Sequence, residues 1–214
     1  MPVKMQSYRL NIKVIIVAVG IFSLLVFSMV LVMFGIVDVK SVTSLLIDYA
    51  YIIAPTSLLW ILVDKYLWHT RLFQAMTKLA NIPPDLRGRW EGTLENESGT
   101  EIQKFVIEVK QTLTTLNVFS YSSIAHSVSI LPEIAISHNE DHFVLCYLWE
   151  GKMNTSIKDI HHVEHFHGYT ILNLHQYEKQ KILEGFYFSN RLPSQTRGGC
   201  QLMWVSDHLK KKLD

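Results

Sequence analysis

The sequence predicts a protein of mixed class, with two N-terminal transmembrane helices followed by a small eight-stranded meander β-barrel. Three observations predict it. Residues 14–37 hold no Asp, Glu, Lys, Arg or His, and residues 41–63 hold only Asp48; at about 1.5 Å per residue either run crosses a hydrocarbon core of about 30 Å. Charged residues make up only 18% of the 214-residue chain, below the roughly 25% of soluble domains. Beyond Pro83-Pro84 the hydrophobic period changes from helical spacing to two, which is the period of half-buried strands.

Residues 1–13 form a short basic N-terminus with Lys4, Arg9 and Lys13. The apolar run at 14–37 is longer than the roughly 7–15 residues of a signal peptide and ends in no small-residue cleavage pattern. It is expected to be the first transmembrane helix. Residues 38–41 are a tight external loop, and 42–63 are the second helix, with Pro55 as a kink site and Trp60, Tyr66 and Trp68 as an aromatic belt. Lys and Arg concentrate before the first span and after the second, with only Lys40 between, so both termini are expected on the cytoplasmic side. Asp48 has two readings, a polar contact between packed helices or a carboxylate reaching headgroup water. Thr56, with Ser41, Thr43 and Ser44, adds further polar groups for helix packing.

Residues 64–84 read as a helical extension and linker, ended by Asn81-Ile82-Pro83-Pro84-Asp85. The remaining 85–214 suffice for one domain. Strands are predicted at 88–94, 102–111, 113–122, 127–137, 142–149, 169–177, 182–190 and 198–206, divided by turn-forming groups such as Glu97-Ser98-Gly99 and Arg191-Leu192-Pro193-Ser194. Eight short strands with little room for helices suit a closed meander barrel; a sandwich is the alternative. Cys146 and Cys200 lie in apolar runs and are expected as reduced, packed thiols.

Charge limits the partners. Residues 1–83 carry seven Lys/Arg against three Asp/Glu, and residues 84–214 carry thirteen against sixteen. A domain of negative balance does not coat a polynucleotide, so any anion site must be local. The window His161-His162-Val163-Glu164-His165-Phe166-His167 contains the H-x-x-E-H spelling of a zinc hydrolase. That chemistry needs both histidines on one face of a stable helix, and here the window lies between strands, so a polar loop or strand end is expected and no metal. No G-x-S-x-G, Walker or G-x-G-x-x-G pattern occurs, and no catalytic residue is assigned.

The informative groups stand where the first and last barrel strands must pair. Arg87-Gly88-Arg89-Trp90-Glu91-Gly92 opens the barrel, while the segment from Leu183 to Arg191 and Thr196-Arg197-Gly198-Gly199 closes it. Trp90 and Tyr187 can fill the barrel, and the glycines can relieve crowding at strand bends. Asn190, Arg191, Thr196 and Arg197 remain as a polar cluster at a strand junction. Arginine forks grip phosphate oxygens and stack on bases, while Asn and Thr supply fixed hydrogen bonds.

Gly88-x-Trp90 resembles the lipocalin opening, in which a Trp plugs one barrel end. The whole arrangement of two N-terminal helices, R-G-R-W-E-G and L-x-G-x-Y-x-x-x-R…T-R-G-G resembles the minimal β-barrel effectors of CBASS antiphage systems. That resemblance implies a multi-pass protein of the bacterial inner membrane that is not an enzyme and has no resident cofactor. Its activating ligand would be a cyclic di- or trinucleotide made by a partner CD-NTase. Binding would drive homo-oligomerisation and disruption of the bilayer, killing the infected cell. It also implies ligand contacts at Trp90, Tyr187, Asn190, Arg191, Thr196 and Arg197. The other readings are a membrane-tethered, lipocalin-like carrier or sensor of an apolar molecule and a zinc enzyme using the histidine window.

Overall fold

The computed structural model describes residues 5–7, 23, 56–70, 83–137, 143–153, 165–177, 180–191 and 195–213. Alternating side chains organise the C-terminal part into nine antiparallel strands: β1 (Met5–Ser7), β2 (Gly88–Glu95), β3 (Glu101–Gln111), β4 (Leu116–Ser122), β5 (Ala125–Ser137), β6 (Phe143–Met153), β7 (His165–Tyr177), β8 (Gln180–Ser189) and β9 (Thr196–Ser206). Strands β2 to β9 pair in sequence order, β2 pairs with β9, and β5 with β6, so the meander closes into an eight-stranded barrel. The barrel reading therefore holds over the sandwich. β1 is an addition the sequence did not predict: three residues too short for visible alternation, paired with Ala135–Ser137 of β5.

One face of each strand fills the barrel. Trp90 and Leu94 of β2, Ile107 and Val109 of β3, Leu145, Tyr147 and Trp149 of β6, Leu172 of β7, Leu183 of β8 and Cys200 and Leu202 of β9 share one core. Both cysteines are free and buried. At about 25 cal/mol per Å² this interior is the main source of stability, and its tight packing makes truncations there costly.

One end of the barrel is closed by the chain that enters it. Leu86 is buried there; its N–H donates to Gln111 Oε1 at 2.9 Å and its carbonyl accepts the Trp90 indole N–H at 2.9 Å. Gln111 Nε2 donates to the Pro84 carbonyl at 3.0 Å, and Lys181 Nζ to that of Asp85 at 2.9 Å. The entry segment is thus tied to β2, β3 and β8.

A second fastening lies on the outer face of the same strands. Arg89 and Glu108 are register partners and both are buried, Arg89 at 0% exposure. Arg89 Nη1 donates to Glu108 at 3.0 Å and its Nε to Glu91 at 2.6 Å. The tail wraps over them: Arg89 also donates to the Lys212 and Leu213 carbonyls at 2.6 Å each. The N–H groups of Lys210 and Lys211 donate to Glu108 at 2.7 and 3.0 Å. Lys211, at φ 58°, adopts the left-handed conformation within this tail. A buried carboxylate and guanidinium are tolerable only with this many partners.

The N-terminal part is a separate unit spanning Arg9–Ile82 and Thr112–Thr114. In it, residues 56–62 are helical and run into a π-helical turn at Val63–Leu67, followed by a turn at 68–70; residues 71–82 of the expected extension lie outside the described residues. Thr56 lies in this helix. Apart from Ser23, which is helical, the first expected span lies outside the described residues, as do Asp48 and most of the second span. Among the described residues, no helix is long and apolar enough to cross a membrane.

Candidate ligand site at the barrel mouth

The end of the barrel opposite the entry segment is formed by the ends of β2, β4, β6 and β8 and the starts of β3, β5, β7 and β9. Inside it lies a cavity of about 270 Å³. Its walls are aromatic where they meet the core, with Phe105, Tyr147, Trp149, Phe166 and Tyr187, and rich in hydroxyls towards the rim, with Ser120, Ser127, Ser189 and Thr196. Arg191 and His126 also line it. Glycine makes this interior possible at Gly168, where a Cβ would collide with the Trp149 indole. The indole N–H instead donates to Thr170 Oγ1 at 2.9 Å.

A larger groove of about 1390 Å³ lies outside the wall made by β7, β8 and β9 and reaches the β2–β3 turn. It is lined by Tyr169, Phe186 and Phe188, with Asn190 and Arg197 at the rim. The Tyr169 and Phe188 rings stand 5.9 Å apart, and Phe186 and Phe188 are about half exposed. Cavity and groove share Tyr187, Ser189 and Thr196, so only the rim separates them. Burial raises the Tyr187 phenol above its ordinary range, and pushes that of Tyr169 up to about 12. Both are neutral hydrogen-bonding groups at physiological pH.

Of the six expected contacts, five gather at this mouth. Tyr187 and Thr196 border both spaces, and Ser189 and Thr196 link β8 to β9 through their hydroxyls at 2.6 Å. Arg191 lines the cavity. Asn190 fixes the mouth to β7: its Oδ1 accepts the His167 N–H at 2.8 Å, and its own N–H donates to the His167 carbonyl at 2.9 Å. Arg197 follows Thr196 in β9, so strand parity turns it outward, where it is exposed and paired with Glu97. The two arginines therefore serve different faces of one wall.

Trp90 stands apart. It pairs with Trp204 on β9, eight residues from Thr196, or roughly 26 Å at about 3.3 Å per residue. It is fully buried against the closed end, borders neither space, and packs as the plug that its lipocalin-like setting suggested. The first glycine of the T-R-G-G ending also behaves structurally: a Cβ on Gly198 would strike the Glu95 carbonyl of the neighbouring chain segment.

Tyr147, Trp149, Thr170 and the Ser120–Ser127 hydroxyl pair were missed by the sequence reading. Alternation along Leu145, Tyr147 and Trp149 marks them as inward, but it does not separate residues that fill the core from those that border a cavity. Of the histidine window, His165 and His167 begin β7 as a strand, and His165 Nδ1 lies 3.2 Å from Glu150. His161 and His162 lie outside the described residues. Among the described residues no group of His, Cys, Asp and Glu is arranged to hold a metal.

A closed meander barrel, fastened at one end and carrying a cavity with a polar rim at the other, is a small-ligand binding module. The family model of the Cap15 cyclic dinucleotide receptor domain matches residues 81–203, which cover the entry segment and nearly the whole barrel. The chain belongs to that family. It is also similar to CD-NTase-associated protein 15 of Staphylococcus schleiferi, with 29% identity over 106 residues, 48% of this chain and 55% of that protein. The match thus spans about half the length of that relative. The resemblance to CBASS effectors read from the sequence is the relationship these matches bear out.

Proposed function

We propose that the protein is a membrane-anchored CBASS effector whose barrel binds a cyclic dinucleotide made by a partner CD-NTase. The observation that carries this reading is the placement of the mouth. The family match falls on the barrel, and the mouth combines an aromatic-walled cavity with Arg191, Ser189 and Thr196 at its rim. Aromatic walls accept bases, and guanidinium and hydroxyl groups accept phosphates.

The output is membrane disruption in the bacterial inner membrane. Ligand binding favours a homo-oligomer, and the N-terminal helices then breach the bilayer, with both chain ends cytoplasmic. The ligand must bind the assembly more tightly than the monomer, because equal affinity shifts no equilibrium. The full-length chain in dye-loaded vesicles tests this directly. Dye release and a larger sedimenting species, both dependent on one cyclic dinucleotide, are expected; binding without release removes the membrane output.

The apolar walls formed by Phe105, Trp149 and Phe166 favour a second reading, a tethered carrier of an apolar molecule. Competition by lipids or fatty acids, with no response to any cyclic nucleotide, would establish that reading instead.

A further inference from the structure

We infer that the ligand straddles the rim between β8 and β9, with one base inside the barrel and the other outside on Phe188, and that the Tyr147 hydroxyl reads the inserted base. This rests on the cyclic dinucleotide reading above and specifies how that ligand sits. Size is the first argument. Sites for drug-sized ligands occupy about 300–1,000 Å³, and the cavity, at about 270 Å³, lies below that range. A molecule with two nucleosides exceeds it, whereas one nucleoside fits.

The second argument is where the remainder can go. The outer groove begins at the same Tyr187, Ser189 and Thr196 that border the cavity, so a macrocycle can cross the rim without a gap. Immediately outside, Phe188 and Phe186 present half-exposed rings on a strand face. Exposed aromatic rings on a sheet are stacking platforms for bases. Arg191 is near the crossing point, where the backbone phosphates of a straddling ring would lie.

The third argument is an unmet hydrogen bond. Tyr147 is 1% exposed, and its hydroxyl makes no hydrogen bond of acceptable geometry among the described residues. Thr170, its register partner, is within interacting reach, but that hydroxyl also accepts the Trp149 indole and can meet only one of the donor and acceptor roles of the Tyr147 hydroxyl. A buried hydroxyl with a role unmet is costly, and such groups are commonly completed by water or a ligand. Tyr147 lines the cavity, so the edge of an inserted base can complete it.

The test uses the full-length chain in detergent, titrated calorimetrically with cyclic di-AMP, cyclic di-GMP, cyclic di-UMP and the mixed adenine–guanine ring. Phe188→Ala and Tyr147→Phe are compared with the parent against the member that binds. Each variant is expected to weaken binding about tenfold, the size of one stacking contact or hydrogen bond lost. Tyr147→Phe is also expected to flatten the ranking among bases. An effect of Tyr147→Phe alone would place the ligand wholly inside and overturn the inference; an effect of Phe188→Ala alone would place it wholly outside and do the same. If neither variant matters, the rim assignment is wrong. Binding of no panel member by the parent would instead defeat the receptor reading itself.

Discussion

The two ends of this barrel solve opposite problems. At the closed end a dense set of polar groups is matched: Trp90 to Leu86, Gln111 to Leu86 and Pro84, and Arg89 to Glu91, Glu108 and two tail carbonyls. At the mouth a cavity persists and the Tyr147 hydroxyl, beside Thr170, makes no hydrogen bond of full geometry among the described residues. The difference teaches that stability and recognition are separated along the strands: one end supplies folding energy so that the other can keep space and unmet polar groups.

The largest effects should therefore come from the closed end. Trp90→Ala removes a fully buried indole and leaves the Leu86 carbonyl unpaired, and is expected to cost about 3–5 kcal/mol in chemical denaturation. Arg89→Leu leaves Glu108 buried without its cation and is expected to cost a similar amount, about 3–5 kcal/mol. Because the mouth is intact in both variants, ligand should add the same increment of stability to each as to the parent. A mild phenotype for both would erase the distinction between the ends.

Acid sharpens the comparison further. The Arg89 guanidinium holds the Glu91 carboxyl below its usual 4.5. Burial works to raise Asp85, but bonds from Arg87 outweigh it and hold that carboxyl below 3.8. Groups with depressed folded values stabilise the protein above their unfolded values, and that contribution is lost as pH falls through the folded ones. The melting temperature should drop between about pH 5 and pH 3, and the drop should be shallower in Arg89→Leu. An equal slope in both proteins would show that the outer fastening does not hold Glu91.

The smallest stability effects belong to the mouth. Arg197→Ala breaks an exposed pair with Glu97 and is expected to leave the melting temperature unchanged. Its effect on ligand affinity should be weaker than that of Phe188, its register partner in the outer groove, because its guanidinium is already engaged by Glu97.

How much of this could be read from the sequence depends on periodicity. All eight barrel strands were legible, most of them to within a few residues, because each has one face in the core. The start of β4 was set three residues early, at 113 instead of Leu116, since the apolar Leu113 lies in the preceding turn. The polar cluster was legible at strand ends, yet its division into two faces was overlooked although parity encodes it: Thr196 and Arg197 are neighbours and cannot both face inward. Trp90 was grouped with the mouth because pairing of β2 with β9 says which strands touch, and not how far along them two residues lie. Tyr147 was hidden in the run Val144-Leu145-Cys146-Tyr147-Leu148-Trp149, which reads simply as core.

The central claim is that recognition resides at the mouth and is separable from folding. Thermal titration of the full-length chain and of Arg191→Ala, side by side with the cyclic dinucleotide panel, tests it most directly. The parent should gain about 2.7 kcal/mol at a hundredfold excess over the dissociation constant. Arg191→Ala should melt with the parent when no nucleotide is present and lose most of the ligand-dependent shift. An Arg191→Ala chain that responds to the nucleotide as fully as the parent would contradict the account.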